Sequence, residues 1–123
     1  MILGIGTDII ELERVRRSVA KKAFREKVYS QREIEYCEKD LKGERYAARY
    51  AGKEAFLKAM GTGWIEDIEL HSVEILNDEK GKPYIVLSGS VLDRFKAMGG
   101  GNIHVSLSHG KETAIAFVII EGA

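Results

Sequence analysis

The chain opens on an apolar, β-branched run, MILGIGTDII, interrupted by Gly4 and Gly6 and carrying Asp8 near its end. Glycine inside a strand marks a place where other atoms come close, so this pattern predicts a buried strand with something packed directly against it. From Leu12 to Phe24 the positions Leu12, Val15, Val19, Ala20 and Ala23 recur at helical spacing, which predicts one amphipathic helix with its bases on the far side. Ser30 and Glu33 make the S-x-x-E pattern of a capping box, ahead of a short helix ending near Glu38 and separated by Gly43 from the next element. Residues 44–60 are rich in alanine and free of proline, so they predict a helix about 25 Å long, closed by Gly61, Thr62 and Gly63.

Residues 68–76 alternate as a strand, residues 77–82 read as a turn, and PYIVL returns, giving a predicted hairpin over 68–87 with Pro83 at a strand start or edge. Ser88 is placed to cap a helix running to about Met98. GGGN at 99–102 reads as a loop, and the strands IHVSLS and TAIAFVII flank a turn at residues 109–112. With 123 residues, one proline, no repeat and no linker, the expectation is a single domain over 1–123. The longest apolar run, residues 114–120, is far too short to cross a bilayer. The N-terminus has no basic leader, and Cys37, the sole cysteine, can form no intrachain disulfide or complete zinc site. A reducing cytoplasm is the expected setting.

Overall charge is balanced at 19 bases and 19 acids, which removes any global case for nucleic acid, but the distribution is uneven. Residues 1–13 carry three acids and no base, whereas residues 14–25 carry Arg14, Arg16, Arg17, Lys21, Lys22 and Arg25 and no acid. Such a patch on a neutral chain suits one acidic partner at one face, although most charge runs are only solvated helix surface.

Glu54 and Lys58 stand four apart on the long helix, beside Ala47 and Ala51, within a sector of about 60°. On a solvated helix they would be an ordinary surface pair. On a helix this apolar, framed by methyl groups, they predict a ligand site. Asp8, at the end of a buried strand, needs a cap, a partner or a cation; together with Glu54 it would supply the one or two carboxylates by which Mg²⁺ is usually held. G-I-G-T-D lacks the third glycine of a dinucleotide fingerprint. Ser108 and His109 are adjacent on a predicted strand and face opposite ways, which opposes a serine nucleophile. His109 suits the mouth of the turn at residues 110–111, where an imidazole and backbone amides can meet an anion; His71 and His104 read as strand residues.

These pieces fall in the order of a known family. GIGTDIIELERV at 4–15, YAGKEAFLKAMGTG at 50–63, DIEL at 67–70, GKPYIVL at 81–87 and HVSLSHGKETAIAFV at 104–118 together resemble the short, holo-(acyl-carrier-protein) synthase class of 4'-phosphopantetheinyl transferases. The resemblance implies an α+β fold with a long helix packed on an antiparallel sheet, a trimer with active sites between subunits, and transfer of phosphopantetheine from coenzyme A to a serine of an apo acyl carrier protein in fatty acid biosynthesis. It implies that Asp8 and Glu54 hold Mg²⁺ and that Lys58 lies beside the coenzyme diphosphate. Glu54 and Lys58 are then the catalytic pair. Arg49, Lys58, Gly61, Thr62, Gly63 and His109 would contact coenzyme A, His109 coming from a neighbouring subunit, and Arg14, Arg17, Lys21, Lys22 and Arg25 would grip the carrier protein. Gly52 departs from the alanine of many relatives, a change that bears on stability because a mid-helix glycine costs about 1 kcal/mol. Two rival readings differ in test: a Mg²⁺-dependent phosphohydrolase would turn over without a carrier protein, and a binding module built on the basic helix would bind in EDTA.

Overall fold

Strand β1 (Ile2–Glu11) lies with its backbone directly on the long helix α4 (Glu44–Met60) in a computed structural model that describes residues 1–40, 42–62 and 68–123. A Cβ on Gly4 would stand 1.8 Å from the carbonyl oxygen of Ala59, and one on Gly6 1.9 Å from that of Ala55. Only glycine permits this approach, as the two interruptions in the first strand predict. Along β1, Gly6 and Ile10 are buried and Ile5 and Ile9 exposed, so Asp8 shares the helix-facing side with the glycines.

Strands β4 (Gly100–His109) and β5 (Thr113–Gly122) complete an antiparallel sheet in the order β1-β5-β4. The central strand turns Ala114, Ala116, Val118 and Ile120 onto α4, all of them buried. Helix α4 is covered on several sides, from Ala47 to Ala59, which its nearly uniform apolarity predicts. The fold is α+β, with the long helix packed on an antiparallel sheet. The sheet's outer face carries exposed Ile5, Ile9, Ile115 and Phe117.

A second sheet pairs β2 (Val73–Asn77) with β3 (Pro83–Leu87). Side chains of other elements bond to β2 where a further strand would: Lys53 Nζ donates to Val73 O at 2.7 Å, Ile75 N donates to Glu33 Oε2 at 3.0 Å, and Arg49 Nε donates to Ile75 O at 3.1 Å. The Lys53 ammonium also holds Glu33 Oε1 at 2.6 Å and Leu70 O at 2.9 Å, both charged side chains being wholly removed from solvent. This demand for converging carbonyls corrects the expected strand start at 68. Residues Leu70–Ser72 form a 3₁₀ turn that brings the Leu70 and Val73 carbonyls to one ammonium, and His71 sits on that turn beside Glu69 rather than on a strand.

The predicted helix at 12–24 is two: α1 (Leu12–Val19) and α2 (Lys22–Val28), with Lys21 extended between them. A continuous helix would turn Phe24 more than about 100° from the stripe of Leu12, Val15 and Val19. The break lets its ring pack at 6.3 Å from Tyr29 and 6.0 Å from Tyr50 instead. Helix α3 (Gln31–Cys37) has both bonds of the predicted capping box, and Cys37 is buried, its thiol pushed up to about 12 chiefly by that burial. Ser88 precedes α5 (Gly89–Ala97) without a side-chain cap bond. The expected loop at 99–102 instead opens β4, because Gly100 pairs with Gly122 and lies against the Phe95 ring where a Cβ would not fit. Gly52 is explained likewise: a Cβ there would stand 2.4 Å from Ile75 Cδ1.

Candidate active site

Seated on the glycine contact, the end of β1 delivers Asp8 to α4, where Lys58 Nζ donates to Asp8 Oδ1 and to Thr7 O, both at 3.1 Å. Helical spacing alone pairs Lys58 with Glu54, one turn earlier; the structure turns the ammonium across to the strand. Glu54 is half-buried, and its proton affinity is raised first by that burial and then by the Asp8 carboxylate, while the nearby Tyr50 hydroxyl and the charges of Lys58 and Arg14 oppose the rise. Two carboxylates 46 residues apart in sequence therefore act on one another at the end of a packed strand, with Lys58 on the Asp8 side.

Among the described residues no group of three or more His, Cys, Asp and Glu side chains could hold a metal. A pair of carboxylates is nevertheless the usual protein share of a Mg²⁺ shell completed by water and phosphate oxygens, and hard oxygen donors already repelling one another suit that cation. The residues fit the group. Tyr50, i−4 to Glu54, is absent from the candidates read from sequence, although helical spacing could have found it.

Arg49 is buried, donating through Nε to Ile75 O and through Nη2 to Asn77 Oδ1, with its guanidinium 4.4 Å from the Tyr36 ring centre. His109 Nδ1 stands 2.8 Å from Glu44 Oε2. Arg49, Asn77, Glu44 and His109, with Arg45, line a cavity of about 220 Å³. It adjoins another of about 460 Å³ bounded by Lys39, Lys42 and Arg45 together with Asp40 and Glu44. Arg45 is not among the residues that sequence singles out, since nothing distinguishes it there from any other helix base. Strand β4 runs through His109, so Ser108 and His109 do face opposite sides. Glu44 and Glu54 are ten residues apart on α4, about 15 Å along its axis, so one chain does not bring His109 to Asp8 and Glu54. Gly61 closes α4 at φ +76° and Thr62 follows it, while Gly63 lies outside the described residues.

Of the basic set, Arg14, Arg17, Lys21 and Lys22 are exposed, with Arg17 3.9 Å from Glu13 and Lys22 4.0 Å from Glu26. Arg25 is half-buried and folds back, donating to Val19 O at 2.6 Å across the α1–α2 break. No helix among the described residues is long and apolar enough to cross a membrane.

The sequence model of the 4'-phosphopantetheinyl transferase superfamily matches residues 4–118. The chain belongs to that superfamily. Within it, the chain is 42% identical over 124 residues to the holo-[acyl-carrier-protein] synthase of Clostridium tetani, covering 99% of this chain and 98% of that protein. To the same enzyme of Cytophaga hutchinsonii it is 48% identical, covering 97% of each. The crystal structure of the Bacillus anthracis holo-(acyl-carrier-protein) synthase, in complex with CoA (3',5'-ADP), superposes with a TM-score of 0.83 at 34% identity, covering 100% of this chain and 99% of that one. The phosphopantetheinyl transferase reading of the ordered motifs thus stands, and the chain is an enzyme of the holo-(acyl-carrier-protein) synthase class.

Proposed function

We propose that this transferase moves the 4'-phosphopantetheine group of coenzyme A onto a serine of an apo acyl carrier protein, releasing 3',5'-ADP, in the service of cytoplasmic fatty acid biosynthesis. The observation that carries the reading is the convergence of Asp8, Glu54 and Lys58 at the seam of β1 and α4, beside exposed Arg14 on α1. Bound to Asp8 and Glu54, Mg²⁺ would clamp and polarise the diphosphate.

The chain's own residues do the rest. The serine oxygen bonds to the β-phosphorus as the bond to the bridging oxygen breaks, and the electron pair leaves on the α-phosphate of 3',5'-ADP. Lys58, exposed enough to swing from Asp8 to an incoming phosphate, offsets charge on the transferring and leaving oxygens. Glu54, whose proton affinity burial and Asp8 both raise, is the candidate acceptor of the serine proton.

The separation of His109 from Glu54 supports an active site shared between subunits of a homotrimer. Its Arg45, Arg49 and His109 pocket would take the nucleotide phosphates of a coenzyme whose diphosphate reaches a neighbour's Asp8, Glu54 and Lys58, with Gly61, Thr62 and Gly63 alongside. The exposed apolar face of Ile5, Ile9, Ile115 and Phe117 is the surface such an assembly would cover. Arg14, Arg17, Lys21 and Lys22 would meet the acidic carrier, with Arg25 bracing the bend. Intact mass of an apo acyl carrier protein incubated with this protein, coenzyme A and Mg²⁺ tests the proposal: a phosphopantetheine increment is expected, and an unmodified carrier beside degraded coenzyme would overturn it.

A further inference from the structure

Tyr36, in the last turn of α3, lies against two arginines of α4. The guanidinium carbons of Arg45 and Arg49 stand 4.2 and 4.4 Å from the centre of its ring, and Arg45 Nη1 also donates to Tyr36 O at 3.0 Å. Arg49 is nearly closed to solvent, and its hydrogen bonds go to neutral oxygens, Ile75 O and Asn77 Oδ1. Asn77 is fixed in turn, its Nδ2 donating to Gly81 O at 2.8 Å. Among the described residues neither guanidinium makes an ion pair. The carboxylates lining the two adjoining cavities are engaged elsewhere: Asp40 accepts the main-chain amides of Lys42 and Arg45 at 3.0 and 2.9 Å, and Glu44 stands 2.8 Å from His109 Nδ1.

Two like charges brought to one cavity without a counterion repel one another and leave the site short of an anion. A free arginine side chain samples many rotamers, and having to order it during binding weakens affinity. The negative face of an aromatic ring attracts a guanidinium and gives the planar group a flat seat. Arg45 and Arg49, one turn apart on α4, share such a seat, with the Tyr36 and Ile75 carbonyls and Asn77 fixing some of their nitrogens. Their order is therefore established before an anion arrives.

We propose that Tyr36 is a positioning residue for coenzyme binding, its ring seating Arg45 and Arg49 so that their remaining N–H groups meet the nucleotide phosphates. This rests on the reading that the pocket of Arg45, Arg49 and His109 takes those phosphates. Tyr36→Leu removes the ring and Tyr36→Phe keeps it, while Tyr36→Phe carrying a fluorinated ring keeps the shape and weakens the negative face. Steady-state transfer compares these proteins with wild type and Arg45→Gln, coenzyme A and the carrier protein being varied separately and thermal unfolding monitoring the fold. Tyr36→Leu should raise KM for coenzyme A about 10-fold, the fluorinated ring by less, and Tyr36→Phe by no more than about twofold. The kcat and the carrier KM should stay at their wild-type values, because the lost binding is common to the ground and transition states. The fluorinated ring preserves the packing, so it decides the matter even where Tyr36→Leu fails to fold. A wild-type coenzyme KM with the fluorinated ring, beside a raised one in Arg45→Gln, would overturn the positioning role and leave the phosphate pocket standing. Tyr36→Phe as impaired as Tyr36→Leu would also overturn it, assigning the effect to the hydroxyl, as would a fall in kcat at constant coenzyme KM. An unaltered coenzyme KM in Arg45→Gln would overturn the phosphate pocket and this inference with it.

Discussion

Replacing Lys53 by methionine tests the buried pair that joins three elements. The Lys53 ammonium spends its donors on Glu33 Oε1, Leu70 O and Val73 O at 2.6, 2.9 and 2.7 Å, with neither charged side chain reached by solvent. Burial lowers the proton affinity of Lys53 and the Glu33 carboxylate opposes that shift. In Lys53→Met the Glu33 carboxylate keeps only the amides of Ser30 and Ile75, so a full charge is left without a counterion. Breaking a pair of this kind costs about 3–5 kcal/mol, a large part of the roughly 5–15 kcal/mol that holds a domain together. Glu33→Gln should cost a comparable amount by stranding the ammonium. Lys53→Met with Glu33→Gln removes both charges and should cost clearly less than the two singles added, by more than about 1 kcal/mol. Urea denaturation at one fixed protein concentration measures all four proteins, concentration being held because assembly adds to apparent stability. A single-variant loss below about 1 kcal/mol, or singles that add in the double within about 0.5 kcal/mol, would refute the clamp.

Asp8→Asn and Glu54→Gln should each reduce transfer at limiting Mg²⁺ by about 100-fold or more while leaving far-UV circular dichroism unchanged; near-normal rates in either folded variant would remove the carboxylates from the chemistry. Gly6→Ala, whose Cβ would lie 1.9 Å from Ala55 O, should cost about 3 kcal/mol or more in urea, and a loss under about 1 kcal/mol would mean β1 can lift off α4 cheaply. The Arg32 guanidinium bonds both oxygens of Glu74 at 3.1 and 2.7 Å and holds that carboxyl below its usual range. Its folded value being depressed, the unfolded chain binds the proton more readily, so the contribution is present above about pH 4.5 and lost as pH falls through the folded value. Arg32→Met should then be slightly less stable than wild type at pH 7, as an exposed pair contributes little, the gap closing in acid; a gap independent of pH would contradict the assignment. Reversing Arg14 and Lys21 to glutamate should raise KM for the carrier protein and flatten its salt dependence, with KM for coenzyme A as the internal control.

Features governed by local chemistry are legible in the sequence. Helix α4, the capping box at Ser30 and Glu33, and the close approach at Gly4 and Gly6 each follow from residue types at short spacing, and the structure has all three. The misreadings occur where a distant group decides. The 12–24 helix breaks because Phe24 belongs with Tyr29 and Tyr50, and the 68–72 segment turns because Lys53 needs its carbonyls. By sequence Glu33 is a cap alone, yet the same carboxylate anchors Lys53 and Ile75, which nothing in the S-x-x-E pattern could disclose. At the site, Glu54 and Lys58 are visible as neighbours on one helix face, whereas the pairing of Lys58 with Asp8 depends on how β1 lies across α4. Arg45 becomes conspicuous only beside Arg49 and His109 in their shared cavity.

The strand order β1-β5-β4 has a consequence for how the chain is made. Its central member is the last strand in chain order, so β1 and β4, each hydrogen-bonded to β5, have no partner in that sheet until β5 has been synthesised. About a hundred residues separate β1 from β5, which at ribosomal rates is on the order of 5–20 s during which the first strand has both edges open. Helix α4, whose backbone its glycines fit, is complete by residue 60, so β1 has a surface to dock on before β5 exists. The glycines that bring Asp8 to Lys58 in the finished enzyme thus also give the newborn strand somewhere to rest.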